Sequence, residues 1–388
     1  MNESRFIPNT FSQPLTLPRS PPSLLKEALE EILLHTPPQE SYVSRSSGPL
    51  HLGGLLSGPT ALAYLFFRAS EAQPDLRVAD HSVSRWAKRY LRGDRGSLKV
   101  RTGACGLKSE RLAYDAVKAC ISRDPDDVKT FLASLAPVLH SLGRADVFPS
   151  ELFCGRAGTL YFLRLVRHFV PDSAPLLEDA IRAISISIIE VGDDGRGNWL
   201  FHDKHYIGAA HGDVGIITQL VLTTPSLAPK LETRLDKFLD TQFDDGNWPS
   251  SAGKTSSPYV QWCHGAPGCV ISLVALREHF PNLQTKIDAA IHKGRSCIWR
   301  AGLLKKEPSL CHGIFGNAIA LDRTRRHHFL ALATPEKVQD MRSRDSSLFK
   351  TAAYESEDSL LMNYWPSAAW TWVVCEDEEP GMIVYTDV

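Results

Sequence analysis

Two short blocks of this sequence carry the residue types that chemistry needs: Cys263-His264-Gly265-Ala266-Pro267-Gly268 and Cys311-His312-Gly313-Ile314-Phe315-Gly316. They lie 48 residues apart, and each leads into an apolar run. A thiolate beside an imidazole, offered twice, suits zinc. A zinc finger sets its cysteines two to four residues apart, so this spacing describes a site assembled from two distant segments. Catalytic zinc is often held that way, by three protein ligands with a fourth position open to water or substrate. Either block alone would read as a buried cysteine of a helical core. The repetition of Cys-His-Gly turns the reading toward metal. Spacing does not say which histidine joins the two cysteines.

The elements that must position these blocks form a repeat. A glycine-containing turn followed by an apolar helical run recurs at Gly58, Gly158, Gly215, Gly268 and Gly316, with degenerate copies at Ser109 and Pro366. The spacings run from 48 to 57 residues. A fixed period of this length means stacked supersecondary units. Between the turns, Pro21–Thr36, Val128–Leu142, Leu176–Val191, Leu231–Phe243 and Leu283–Leu303 place apolar residues at helical spacing. Strand-like alternation is scarce. We therefore expect an all-α fold, an α/α toroid (barrel) of seven helical hairpins with each glycine turn at the start of an inner helix. Glycine there allows positive φ and close backbone approach. Closure of the toroid would bring Cys263, Cys311 and His211 to one mouth. The expected organisation is one domain over 1–388. Residues 1–20 should be irregular, a proline- and serine-rich break falls at 37–49, and the charged segment 322–358 should be a lid or loop.

Composition bounds the function. The 388 residues carry a net charge of −1, with 43% hydrophobic and 22% charged residues. Near-neutrality argues against a nucleic-acid partner. No apolar run approaches the ~18 residues a membrane span needs, and the polar, proline-containing start lacks the apolar core of a signal peptide. A cytoplasmic setting is expected, in which the eight cysteines stay reduced. The Asp193-Asp194-Gly195 and Asp244-Asp245-Gly246 stretches read as tight turns. There is no phosphate-binding loop, dinucleotide fingerprint or nucleophile elbow.

Trp262-Cys263-His264-Gly265-Ala266-Pro267-Gly268, Leu310-Cys311-His312-Gly313, Gly208-Ala209-Ala210-His211-Gly212 and Cys154-Gly155-Arg156-Ala157-Gly158 together resemble the eukaryotic lanthionine synthetase C-like (LanC-like) proteins. Asn247-Trp248-Pro249 and Gly302-Leu303-Leu304-Lys305-Lys306 look like the same family, as does Arg5-Phe6-x-Pro8-Asn9. The resemblance implies a seven-hairpin toroid and one zinc ion held by Cys263, Cys311 and His312, with His264 a neighbour outside the ligand set. It implies addition of a thiol, glutathione or another small thiol, to dehydroamino acids in peptides or proteins. For that chemistry His211, in the equivalent turn of another repeat at the same mouth, is the expected general acid/base, and the resemblance gives glutathione binding to Arg5 and Lys306. Two alternatives stand beside this reading. One is a non-catalytic scaffold that binds zinc and glutathione. The other is a different enzyme on the same toroid, such as a terpene cyclase, although no Asp-Asp-x-x-Asp box is present. Departures from the family pattern at Ser109, Asp213, Phe315 and Asn363–Pro366 bear on the substrate more than on the metal.

Overall fold

The computed structural model describes residues 5–43, 52–350 and 357–388. Residues 44–49 of the break at 37–49 lie outside the described residues, as do 351–356 of the charged segment. Sixteen α-helices are described: α1 (Pro21–His35), α2 (Pro59–Ala72), α3 (Val83–Arg92), α4 (Glu110–Ser122), α5 (Pro125–Ser134), α6 (Ala136–Leu139), α7 (Arg156–Phe169), α8 (Ala174–Ile186), α9 (Asp213–Thr223), α10 (Ala228–Leu239), α11 (Ala266–Leu276), α12 (Gln284–Ala301), α13 (Ile314–Ile319), α14 (Arg323–Ala331), α15 (Pro335–Arg344) and α16 (Tyr364–Val374). Among the described residues the only strands are Arg77–Val78 and His81–Ser82, a two-residue antiparallel ladder.

The helices sort into two layers by burial. In α11 nearly every side chain is buried, as in α7, which marks a helix enclosed on all sides. α3 instead buries Val83, Trp86, Ala87, Tyr90 and Leu91 and exposes Arg85, Lys88, Arg89 and Arg92. The enclosed helices form a ring: α2 packs on α4, α4 on α7, α7 on α9, α9 on α11, α11 on α13, α13 on α16, and α16 returns to α2. Outside it, α3, α5, α8, α10, α12 and α14 pack on the inner helix of their own unit, and α1 packs on α16. The molecule is an all-α toroid, and its N-terminal helix supplies the outer partner of its last inner helix.

The turns show why two glycines recur. The first caps the helix: Gly58, Gly155, Gly212, Gly265 and Gly313 each precede an inner helix, with Ser109 and Asn363 in the same role. The second lies inside the first helical turn. A Cβ at Gly158, Gly215, Gly268 or Gly316 would come within 1.8–2.1 Å of the carbonyl oxygen six residues earlier. Close approach, not positive φ, demands that glycine. The caps also correct the repeat register: Gly58 and Ser109 are equivalent to Gly155, not to Gly158. Both early units lack the second glycine and carry Ala61 and Leu112 in its place, so their true register is three residues away from the one glycine spacing suggests.

Backbone hydrogen bonds stitch the turns together around the mouth. Leu55 N–H donates to Leu107 O, Leu107 to Leu152 O, Leu152 to Ala210 O, Cys263 to Cys311 O, Cys311 to Leu361 O and Leu360 to Leu56 O. Between the His211 and Cys263 turns, Gly208 packs so close to the Cys263 carbonyl that a Cβ would sit 2.6 Å from it. Below the mouth, the segment 382–388 is held inside the ring. Tyr64 and Tyr161 hydroxyls donate to Asp387 at 2.6 and 3.0 Å, Arg68 pairs with the same carboxylate, and Ser272 meets the Tyr385 hydroxyl. The Tyr385 ring stands edge-on to Trp262, the residue before Cys263.

Candidate metal centre

Cys263 and Cys311 each sit two residues ahead of the glycine that caps α11 and α13. Their turns are neighbours on the ring, tied by the 3.3 Å hydrogen bond from Cys263 N–H to Cys311 O. The candidate ligand atoms of Cys263, Cys311 and His312 all lie within 4.8 Å of one another, and all three residues are buried. Tetrahedral zinc with two sulfur ligands and one nitrogen sets its donors roughly 3.5–3.8 Å apart, so a small contraction closes this set. Two thiolates also offset the charge of a dication. The donor chemistry and the spacing fit zinc.

The electrostatics favour a thiolate here. The hydrogen bond from Cys311, then that of His312 and the neighbouring imidazole charges, hold the Cys263 thiol well below its ordinary range, against the opposing effect of burial. Burial pushes the Cys105 thiol up to about 12 and the Cys154 thiol up to about 11.

The two Cys-His-Gly blocks differ in backbone. Gly265 has φ +112°, a conformation for which glycine is suited, whereas Gly313 has φ −129°. His312 joins the cysteines, while His264 faces Tyr206, Tyr259 and His211, with ring separations of 5.6, 6.2 and 6.1 Å. Its Nδ1 is buried without a hydrogen-bond partner.

His211 lies in the turn before α9. Its Nδ1 is 2.7 Å from Glu151 Oε2, a carboxylate that also accepts the Phe153 and Cys154 backbone N–H groups. A carboxylate on Nδ1 makes that atom the proton-bearing one and leaves Nε2 to exchange a proton. Phe201 stacks on the imidazole at 4.7 Å and 8°, and Phe153 meets it edge-on at 5.2 Å. Phe201 is held there by a two-residue hairpin whose tip, His202 and Asp203, has φ of +49° and +58°, the geometry of a type I′ turn. Sequence reasoning missed Glu151, Phe201 and Tyr206: a lone acid ahead of a turn and two loop aromatics carry no motif.

Arg5 reaches the same region from the N-terminal segment. Phe6 bridges Leu304 and Lys305 N–H donates to Arg5 O, which sets the Arg5 guanidinium 4.9 Å from the Tyr259 ring centre. Lys306 lies beside this strip, bridged to Lys350. Asp213, the first residue of α9, accepts from His205 Nε2 at 2.9 Å. Phe315 packs into the core against Tyr364 and Trp372. Among the described residues no helix is long and apolar enough to cross a membrane.

Compared with known proteins, the chain matches the family model described as lanthionine synthetase C-like protein over residues 52–331. It is 28% identical over 286 residues to the glutathione S-transferase LANCL1 of Danio rerio. That alignment takes in 69% of this chain, and the chain spans 64% of the relative's length.

Proposed function

The chain belongs to the lanthionine synthetase C-like family, and from that premise we propose that it adds the thiol of glutathione, or of a related small thiol, to dehydroamino acids in peptides or proteins. The observation that carries this reading is the buried Cys263, Cys311 and His312 set, with the His211–Glu151 pair on a neighbouring stretch of the same mouth. The printed name of the Danio rerio relative, a glutathione S-transferase, supports the choice of thiol.

Cys263, Cys311 and His312 would hold one zinc ion and leave a position open. When bound, the ion supplies the stabilised thiolate that such an addition needs. His211 Nε2 takes the proton of the incoming thiol, and the Glu151 carboxylate on Nδ1 stabilises the imidazolium that results. The sulfur forms a bond to the β-carbon, and the double-bond pair moves toward the carbonyl as an enolate. His211 then returns the proton to the α-carbon, so nothing leaves and the atoms balance. Phe153, Phe201 and Tyr206 pack their rings around the imidazole and hold its orientation. Arg5 and Lys306 would hold the carboxylates of glutathione.

The test incubates zinc-loaded protein with glutathione and a peptide containing dehydrobutyrine. The expected product is the peptide plus one glutathione, detected by mass. No adduct above the uncatalysed background would overturn the reading.

A further inference from the structure

Two residues before Cys263 stands Gln261, a buried side chain only 7% exposed. Its amide Nε2 lies 3.0 Å from Cys263 Sγ. Its backbone N–H donates to the His264 carbonyl at 3.3 Å, which closes residues 261–264 into a tight loop around the cysteine. Trp262 between them is fully buried on the core side, where it stacks against Phe153 and meets Tyr385. Gln261 and Cys263 are thus presented on one side of the loop.

We propose that Gln261 is a positioning residue for the metal centre, donating an N–H···S hydrogen bond to Cys263. A buried amide without a partner is costly, and the sulfur is the acceptor within reach of this one. A thiolate has no proton to give, so it fixes which way the amide faces: nitrogen toward sulfur. The bond has two effects. It holds the Cys263 side chain aimed at Cys311 and His312, and it draws part of the negative charge off one of the two sulfur ligands. Groups that bind a metal's ligands in this way set both ligand orientation and donor strength, and their loss typically costs about 10–100-fold in metal affinity.

This inference rests on the metal-site reading above, and cobalt(II) in place of zinc separates the two. The wild-type protein should bind about one equivalent and show a thiolate-to-cobalt charge-transfer band with tetrahedral ligand-field bands. Gln261→Met keeps the length of the side chain and removes the N–H. Its charge-transfer band should move to lower energy, because the sulfur becomes more electron-rich, and its cobalt affinity should fall by roughly 10–100-fold. Gln261→Asn keeps the amide but stops one methylene short, so it should shift in the same direction. Circular dichroism establishes that each variant is folded, and the Asn variant serves if the Met variant is not. Bands and affinities that coincide with wild type would overturn the role of Gln261 and reduce it to filling space. A wild-type spectrum without any thiolate-to-cobalt band would overturn the metal reading itself.

Discussion

Glu151 and His211 are 60 residues apart in sequence and 2.7 Å apart in space, carboxylate oxygen to Nδ1. Three donors converge on that carboxylate: the imidazole and the Phe153 and Cys154 N–H groups. Glu151→Gln would place an amide NH2 against one of them and let the imidazole take the wrong tautomer. The addition rate should fall by roughly 10²-fold or more, within the range for a positioned acid–base group. His211→Ala should lose about 10²–10⁴-fold. Both variants should retain metal, which separates proton handling from ligation. A Glu151→Gln variant with the wild-type rate would remove the carboxylate from the mechanism.

The second glycine of each turn predicts a steep contrast in stability. A Cβ at Gly268 would lie 2.0 Å from the Trp262 carbonyl oxygen and 2.9 Å from Ala209 Cβ, both in the fabric of the mouth. Gly268→Ala should cost about 3 kcal/mol or more, at the upper end for single substitutions. Nothing lies within 4 Å of a Cβ at Gly143, so Gly143→Ala should change stability by no more than about 0.5 kcal/mol. Denaturant midpoints measure both. Equal effects would show that close packing of the turns does not govern the fold.

The departure at Asp213 predicts a pH effect. Its hydrogen bond to His205 Nε2 raises that imidazole's pKa, against the lowering effect of partial burial. A raised folded-state pKa means a stabilising contribution fully present below about pH 6.5 and lost as pH rises through the folded value. The side chain is exposed, so solvent screening keeps the contribution small. A histidine NMR titration should place the His205 midpoint above ~6.5, and Asp213→Asn should lower it. A midpoint unmoved by the substitution would contradict the pairing.

The toroid was legible because helical periodicity and the recurrent turn both survive in most units. The register was not, because Gly58 and Ser109 do the capping job of Gly155 in units that lack the second glycine. The pair Cys263 and Cys311 was legible from the duplicated block. Which histidine lies with the cysteines was not legible from spacing, because both blocks offer one; in the fold His312 lies with them, and His264 faces Tyr206, Tyr259 and His211. Phe315 stood out in sequence as a departure from the family pattern, and in the fold it packs into the core against Tyr364 and Trp372. Glu151 and Gln261 were invisible in the sequence. Glu151 reaches His211 across 60 residues, and Gln261 depends on which way its amide faces; no local pattern encodes either.

The zinc content of purified wild type and of four single variants tests the central claim most directly. Wild type, isolated without chelator, should carry about one zinc per chain. Cys263→Ala, Cys311→Ala and His312→Ala should each lose most of it, while His264→Ala should keep it. A zinc-free wild type, or a His264→Ala variant that loses the metal while His312→Ala retains it, would contradict the account.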